Sequence, residues 1–395
     1  MNNNPRVAVL NPDGSTAMPT SASRARRWVR DGKALGKWND LGIYYVQLLV
    51  EPSDTQTQPI ALGCDPGKSY SGFGVQSSKA TLFRGHAVLP FGRVKERLGA
   101  AVIKKGKVIK NVRGRALQRR ARRGRRINRS LPFAQRNHRQ KRFSNRIKSK
   151  LPPSIKASRL MEIRIVKELC SIFPITNIVC EVIKADVDLT SGRKSARVGK
   201  GFSPVMAAQY WCMEQLAKFA PVTKMYGWQK NGNGTSQIRK YLGLYKDKQN
   251  KKNPVPETHA VDGVSLAASK FIKFAPFSKK NSHGHEWQGK VTITDSVFRV
   301  ITRPAYFRRA LHFDNPSKGG IRKRKGGTVT SFGYRAGDYV EGTKAGKRYR
   351  GWIGGFTDSA KTKNLSIYDA NWKRIGQFSL SKVKLLRRSN KLCIT

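Results

Sequence analysis

Residues 60–76 read IALGCDPGKSYSGFGVQ. An apolar run, Ile60 to Cys64, delivers one carboxylate, Asp65, into a Pro-Gly turn, and a second β-like run follows from Phe73. Ala80 to Phe83 is a candidate hairpin partner for it. A carboxylate at the end of a buried strand is costly unless it is paired or holds a cation. Asp-Pro-Gly is also good turn chemistry, so Asp65 taken alone reads as a turn-capping residue.

Two more acids occupy the same kind of setting. IVCEVI, 178–183, carries Glu181 inside a strand apolar on both faces, which is the pattern of a sheet covered on both sides. An edge strand with Glu181 facing water is the alternative. THAVDGVSLAASKF, 258–271, reads as a helix N-capped by Thr258, with Val261, Val264, Ala267 and Ala268 on its buried side. His259 and Asp262 are three apart and share a face of its first turn. Asp65, Glu181 and Asp262 thus come from strand end, strand and helix start. This is what a carboxylate metal site requires. Hard Mg²⁺ takes oxygen ligands, and two such ions activate a water and stabilise the leaving oxygen of a phosphodiester. His259 is placed to orient or deprotonate that water, or to assist the leaving group.

The chain has 79 Lys+Arg against 23 Asp+Glu, a formal net charge of +56 in 395 residues. So large an excess repels itself and calls for a polyanion, nucleic acid before membrane surface. No apolar run approaches a membrane span, and the N-terminus lacks a signal-peptide pattern. Cys64, Cys170, Cys180, Cys212 and Cys393 show no CxxC spacing and read as reduced core residues rather than zinc ligands. The expected location is the cytoplasm.

Residues 1–55 read as a small α+β unit: a strand Arg6 to Leu10, a turn at Asn11 to Gly14, a helix from Ser21 to Gly32 exposing Arg24, Arg26, Arg27 and Arg30, and a strand Ile43 to Val50. Phe91 to Lys110 reads as a basic connection. RGRALQRRARRGRRINR, 113–129, places arginine at Arg113, Arg115, Arg119, Arg120, Arg122, Arg123, Arg125, Arg126 and Arg129, on every face of a helix. With no wide apolar stripe it cannot pack conventionally in a core, and the arginine forks suit phosphate contact. It reads as a helix wedged between nucleic-acid strands, with a disordered basic segment as the alternative.

A core helix follows, with Leu160, Ile163, Val166, Leu169 and Cys170 inward, then the Glu181 strand and a polar connection, 188–202. Ser203-Pro204 opens a helix with Met206, Tyr210, Met213, Leu216 and Ala217 inward. TSQIRKYLGL, from Thr235, leads toward His259. Residues 278–290 read as a polar linker, and 291–395, from the strand Val297 to Ile301 onward, as a small all-β barrel.

In order, ALGCDPGKSYSGFGV, the arginine helix, IVCEV and HAVDG resemble the RuvC-I, bridge-helix, RuvC-II and RuvC-III segments of the IscB/IsrB family of transposon-encoded, RNA-guided nucleases. VAVLNPDGSTAMPTSASRARRWVRDGKA is similar to that family's PLMP domain, with Ala17-Met18-Pro19 near its naming motif. TSQIRKYLGL resembles the lead-in to RuvC-III, although KDKQNKK departs from the shorter continuation. No histidine lies between Glu181 and His259, so no HNH site can be built there, and the match is to the HNH-less group, IsrB.

The resemblance implies an α/β, RNase H-like RuvC core split in sequence, with an Arg-rich bridge helix, a small α+β N-terminal domain and a C-terminal all-β barrel. The divisions are 1–55 PLMP-like, 56–90 RuvC-I, 91–150 bridge helix and basic linker, 151–190 RuvC-II, 191–277 RuvC-III, and 278–395 a barrel reading a target-adjacent motif. It implies a nickase in which Asp65, Glu181 and Asp262 hold two Mg²⁺ ions, with Mn²⁺ as a substitute, and His259 acts beside them. The partners are a long non-coding guide RNA and double-stranded target DNA, with the protein monomeric in the RNA complex; the displaced, non-target strand is cut and guide pairing selects the sequence. The rival readings are a guide-independent nuclease of junction-resolvase type, a catalytically inactive RNA-guided binder, and a basic structural protein. The last explains the charge but not the acids.

Overall fold

A computed structural model describes residues 5–90, 100–104, 107–112, 132, 135, 151, 153–183, 206, 208–279, 281–303, 312–313, 324–325 and 329–395. The arginine run 113–129 and the polar connection 188–202 lie outside these residues, as does the Ser203-Pro204 helix start.

The N-terminal unit is a four-stranded sheet, β1 (Arg6–Leu10), β2 (Thr16–Ser21), β3 (Ala34–Trp38) and β4 (Tyr44–Leu48), in the order β2-β1-β4-β3. Helix α1 (Ala22–Arg30) starts where expected, its N-cap Ser21 accepting from the Arg24 amide at 3.3 Å. Ala25 packs on Val9, Val46 and Leu48, while Val29 faces outward with the four arginines. The strand 34–38 escapes a pattern-based reading because four of its five residues are exposed.

The central sheet has seven strands. β5 (Ile60–Asp65), β6 (Tyr70–Ser77) and β7 (Thr81–Val88) form an antiparallel meander. A small hairpin, β8 (Ala100–Lys104) with β9 (Lys107–Val112), occupies the end of the expected 91–110 connection and runs two residues past it. β10 (Ile175–Val182) then pairs parallel to β5, and β11 (Val222–Tyr226) parallel to β10. Read from β7, the order is third, second, first, fourth, fifth, consistent with the RNase H-like core that the resemblance implies.

One face is covered by α2 (Pro153–Cys170) and α3 (Gln209–Leu216), with Ile165, Val166, Leu169, Cys212 and Leu216 against Leu62, Cys64, Phe73 and Cys180. The other carries α4 (Thr235–Tyr241) and α5 (Val261–Ala268), where Leu266 and Ile238 meet Val179 and Met225. Three inward assignments are corrected: Leu160 is 48% exposed and Tyr210 55%, and Ala217 is exposed as well. Helix α2 is rotated so that Ser158, Arg159, Met161 and Glu162 face inward instead.

Within 278–290, read as a linker, residues 278–279 and 282–289 belong to a hairpin of β12 (Ile272–Lys279) and β13 (Ser282–Gly289). The polar composition of the second strand hid it; Phe274 and Trp287 pack across the pair, and Trp287 stacks on Tyr241 at 4.3 Å. The strand expected to begin the barrel, β14 (Val297–Thr302), instead joins the central sheet parallel to β7. Its Ile301 is fully buried in the core of that sheet. After the short pair β15 (His312–Phe313) and β16 (Arg324–Lys325) comes a separate antiparallel sheet of five strands: β17 (Tyr339–Lys344), β18 (Lys347–Asp358), β19 (Lys363–Tyr368), β20 (Arg374–Ser379) and β21 (Val383–Arg387), in the order β20-β19-β18-β17-β21. It has its own core of Val340, Ile353, Leu365, Ile367, Phe378 and Val383. The last strand, β22 (Cys393–Ile394), returns to the edge of the central sheet on β14.

Candidate active site

Strand alternation decides which acids can meet. Cys64 and Cys180 lie side by side on the parallel strands β5 and β10, with their side chains buried under α2 and α3. The next residue on each strand, Asp65 and Glu181, therefore points to the opposite face, where α5 sits. There α5 presents Asp262 from its first turn, 2% exposed. The close seat of α5 depends on small residues: a β-carbon on Gly63 would stand 2.7 Å from the Ala267 amide, and one on Gly74 2.6 Å from the Gly263 carbonyl carbon. Gly227, just past β11, leaves one Glu181 oxygen open, since a β-carbon there would stand 2.9 Å from Oε1.

The electrostatics record the convergence. Burial, with repulsion from Glu181 and then Asp262, pushes Asp65 well above the usual carboxylate range, and Lys246 opposes this. Burial also raises Glu181; the Thr235 hydroxyl lowers it and Asp262 raises it. Asp262 is held by two cations: Arg239 of α4 donates from Nη1 to Oδ1 at 2.5 Å, and Lys246 donates from Nζ to Oδ2. The TSQIRKYLGL segment thus delivers one of these cations from α4 and ends two residues short of the other.

His259 lies in a π-turn, Pro256–Ala260, that precedes α5. Thr258 is consequently not the helix N-cap; its hydroxyl donates to the Val255 carbonyl at 2.8 Å. His259 stacks on Tyr70 with ring centroids 5.3 Å apart, and its Nε2 is 3.2 Å from the Lys251 carbonyl. Burial and then Lys246 lower its pKa; the Lys251 carbonyl and Asp262 raise it.

A fourth acid was not singled out in the sequence. Glu162 of α2 is fully buried, forms an ion pair with the equally buried Arg159 at 2.9 Å, and accepts from Ser71 Oγ at 2.5 Å. Ser71 Oγ accepts from the Gly67 amide at 3.1 Å, and Arg159 Nη2 donates to the Gly67 carbonyl at 2.6 Å. Both sides of Gly67 are thereby clamped to α2, which braces the Asp-Pro-Gly turn behind Asp65. Burial raises the Glu162 pKa to about 7, with Arg159 and Ser71 opposing. The usable signal was the apolar rhythm of Met161, Ile165, Val166 and Leu169, which puts residue 162 on the inner side.

The oxygen donors of Asp65, Glu181 and Asp262 are of the type a hard divalent ion takes. Among the described residues, no three His, Cys, Asp or Glu side chains form a group that could hold a metal ion in the arrangement described. None of the five cysteines pairs in a disulfide. No described helix is long and apolar enough to cross a membrane.

The sheet order is consistent with an RNase H-like α/β core, with three acids directed to one face of its central strands. The family model described as RRXRR protein matches residues 7–201, just under half of the chain. The string occurs twice, at 119–123 and 122–126. No curated protein matches the chain. Among solved structures, a Thermus thermophilus RuvC in complex with Holliday junction substrate is 14% identical, with 54% of this chain and 92% of that one covered and a TM-score of 0.25. A second Thermus thermophilus RuvC structure is 15% identical over 53% and 92%, TM-score 0.23. A CRISPR-Cas12f ternary complex is 12% identical over 63% and 49%, TM-score 0.28. At such TM-scores the fold assignment rests on strand order and direction.

Proposed function

We propose that this chain is an RNA-guided DNA endonuclease of the IsrB kind, a nickase that cuts the displaced, non-target strand at a RuvC-type site. The observation that carries the reading is the meeting of Asp65, Glu181 and Asp262 on one face, from three segments far apart in sequence, with His259 one turn before Asp262. Acids that share a buried face and raise one another's pKa values favour a cation beside them. Asp65, Glu181 and Asp262 would hold Mg²⁺, which supplies Lewis-acid activation of a water and of the phosphodiester. Arg239 and Lys246 neutralise Asp262 and are placed to meet phosphate. His259, with its pKa lowered, is a neutral base near neutral pH.

The arginines 113–129 are assigned to the guide and target backbone, which the RRXRR match and the net charge support. The C-terminal five-stranded sheet is assigned, as a small barrel, to reading a short motif beside the target.

Purified protein should carry a long non-coding RNA and nick one strand of guide-matched DNA in the presence of Mg²⁺. Asp65→Ala or Glu181→Ala should abolish nicking and leave RNA-dependent DNA binding intact. Nicking that persists after the RNA has been removed would overturn the guided reading.

A further inference from the structure

A second histidine lies behind His259. His86 of β7 is fully buried and sits opposite Gly72 of β6 in the central sheet. Its Nδ1 is 3.1 Å from the Thr258 hydroxyl oxygen. That hydroxyl has one proton and gives it to the Val255 carbonyl, so toward His86 it can only accept. The proton of neutral His86 is therefore on Nδ1, and Nε2 is left as a bare lone pair. Nε2 has no hydrogen-bond partner among the described residues, in a position where an unsatisfied polar atom is costly. A phenylalanine would fill the same volume without that cost, so what the histidine adds at this position is its Nδ1–H.

The surroundings show what this donor controls. The His86 and His259 rings meet edge to face at 5.2 Å, and Tyr70 packs on both, 5.3 Å from each. His259 directs Nε2 at the Lys251 carbonyl, an acceptor only, so that nitrogen carries its proton and Nδ1 is the free base nitrogen. The charged groups acting on this cluster are Lys246, Lys251 and Asp262. His86 is itself held uncharged by burial and by His259.

We propose that His86 is a positioning residue for His259: its Nδ1–H, through Thr258, clamps the π-turn that carries His259, and its ring and Tyr70 fix the orientation of the His259 base, whose tautomer the Lys251 carbonyl sets. The assignment rests on the proposed nuclease reading only where cleavage is the readout.

Two measurements test it. In RNA-loaded protein labelled with ¹⁵N-histidine, His86 should appear as a neutral Nδ1–H tautomer and His259 as Nε2–H at pH 7. An Nε2–H or charged His86 overturns the proposal whether or not the protein cleaves DNA. For activity, His86→Phe keeps the ring and loses the donor, whereas His86→Asn keeps a donor. His86→Phe should lower the nicking rate about 100-fold, the scale of a displacement of about 1 Å at a catalytic group, with target affinity unchanged. His86→Asn should recover at least a tenth of the wild-type rate. Equal rates for wild type and His86→Phe, or a loss that appears only in target affinity, overturn it. If His86→Phe does not fold, the tautomer measurement decides alone. Absence of metal-dependent cleavage in the wild type would instead refute the nuclease reading.

Discussion

Replacing Gly72 with alanine tests how closely the turn before α5 is seated on the sheet. A β-carbon on Gly72 would stand 2.5 Å from the His259 carbonyl carbon and closer still to its oxygen. Carbon atoms are in favourable contact only from about 3.5 Å, so the His259 peptide must retreat by about 1 Å or β6 must bend. Overpacking of this kind costs about 1–3 kcal/mol of stability. A shift of about 1 Å at a catalytic group costs about 100-fold in rate. The assay is metal-dependent nicking of guide-matched DNA under single-turnover conditions, alongside urea denaturation. Gly376→Ala in the C-terminal sheet is the control, because its β-carbon would meet nothing nearer than 3.4 Å. Gly72→Ala should nick about 100-fold more slowly than wild type while binding target normally, and Gly376→Ala should match wild type. A Gly72→Ala protein that nicks within twofold of wild type would refute the seating argument.

Three further outcomes follow from the site. Burial raises Glu162 from its ordinary 4.5 to about 7, so its contribution to stability is fully present below pH 4.5 and is lost as pH rises through about 7, by about 3 kcal/mol. Between pH 5 and pH 8 wild type should lose more stability than Glu162→Gln by about this amount, since Asp65 and Glu181 are raised by burial in both; parallel behaviour in denaturation at the two pH values would count against it. Arg239→Met leaves Asp262 with one cation fewer and should destabilise by about 3 kcal/mol, and adding Asp262→Asn should recover part of that. Additive losses in the double variant would contradict the pairing. RNA that binds only the folded chain should raise its melting temperature, and an unchanged melting temperature on RNA addition would argue against a guide.

The elements that carry Asp65, Glu181 and Asp262 were legible in sequence because each is a continuous apolar run interrupted by one acid. Alternation along β5 and β10 is a local property, and it aims both strand acids at the same face. Glu162 was not legible in the same way. A glutamate three residues from an arginine on an amphipathic helix is the ordinary appearance of a solvated pair; the apolar rhythm around it places residue 162 inward, but only the fold shows the pair with Arg159 buried. β14 was visible as a strand, but its pairing with β7 joins segments far apart in the chain, which no local pattern encodes. The hairpin β12–β13 was hidden because its cross-strand aromatic contacts lie between otherwise polar residues. The two cations on Asp262 also required the fold: Arg239 and Lys246 looked like two more charges in a very basic chain.

The return of β14 and β22 to the central sheet has a consequence for how the protein is made. The sheet that holds the acids takes strands from residue 60 through residue 394. During synthesis the meander β5–β7 must wait, with its β7 edge unpaired, until the segment carrying β14 has left the ribosome. Sheets assembled from such distant segments fold slowly and leave strand edges exposed in the interval. Removing residues 393–395 would therefore strip the last strand from the β14 edge and weaken the core that positions Asp65, although Asp65 lies more than three hundred residues earlier in the chain.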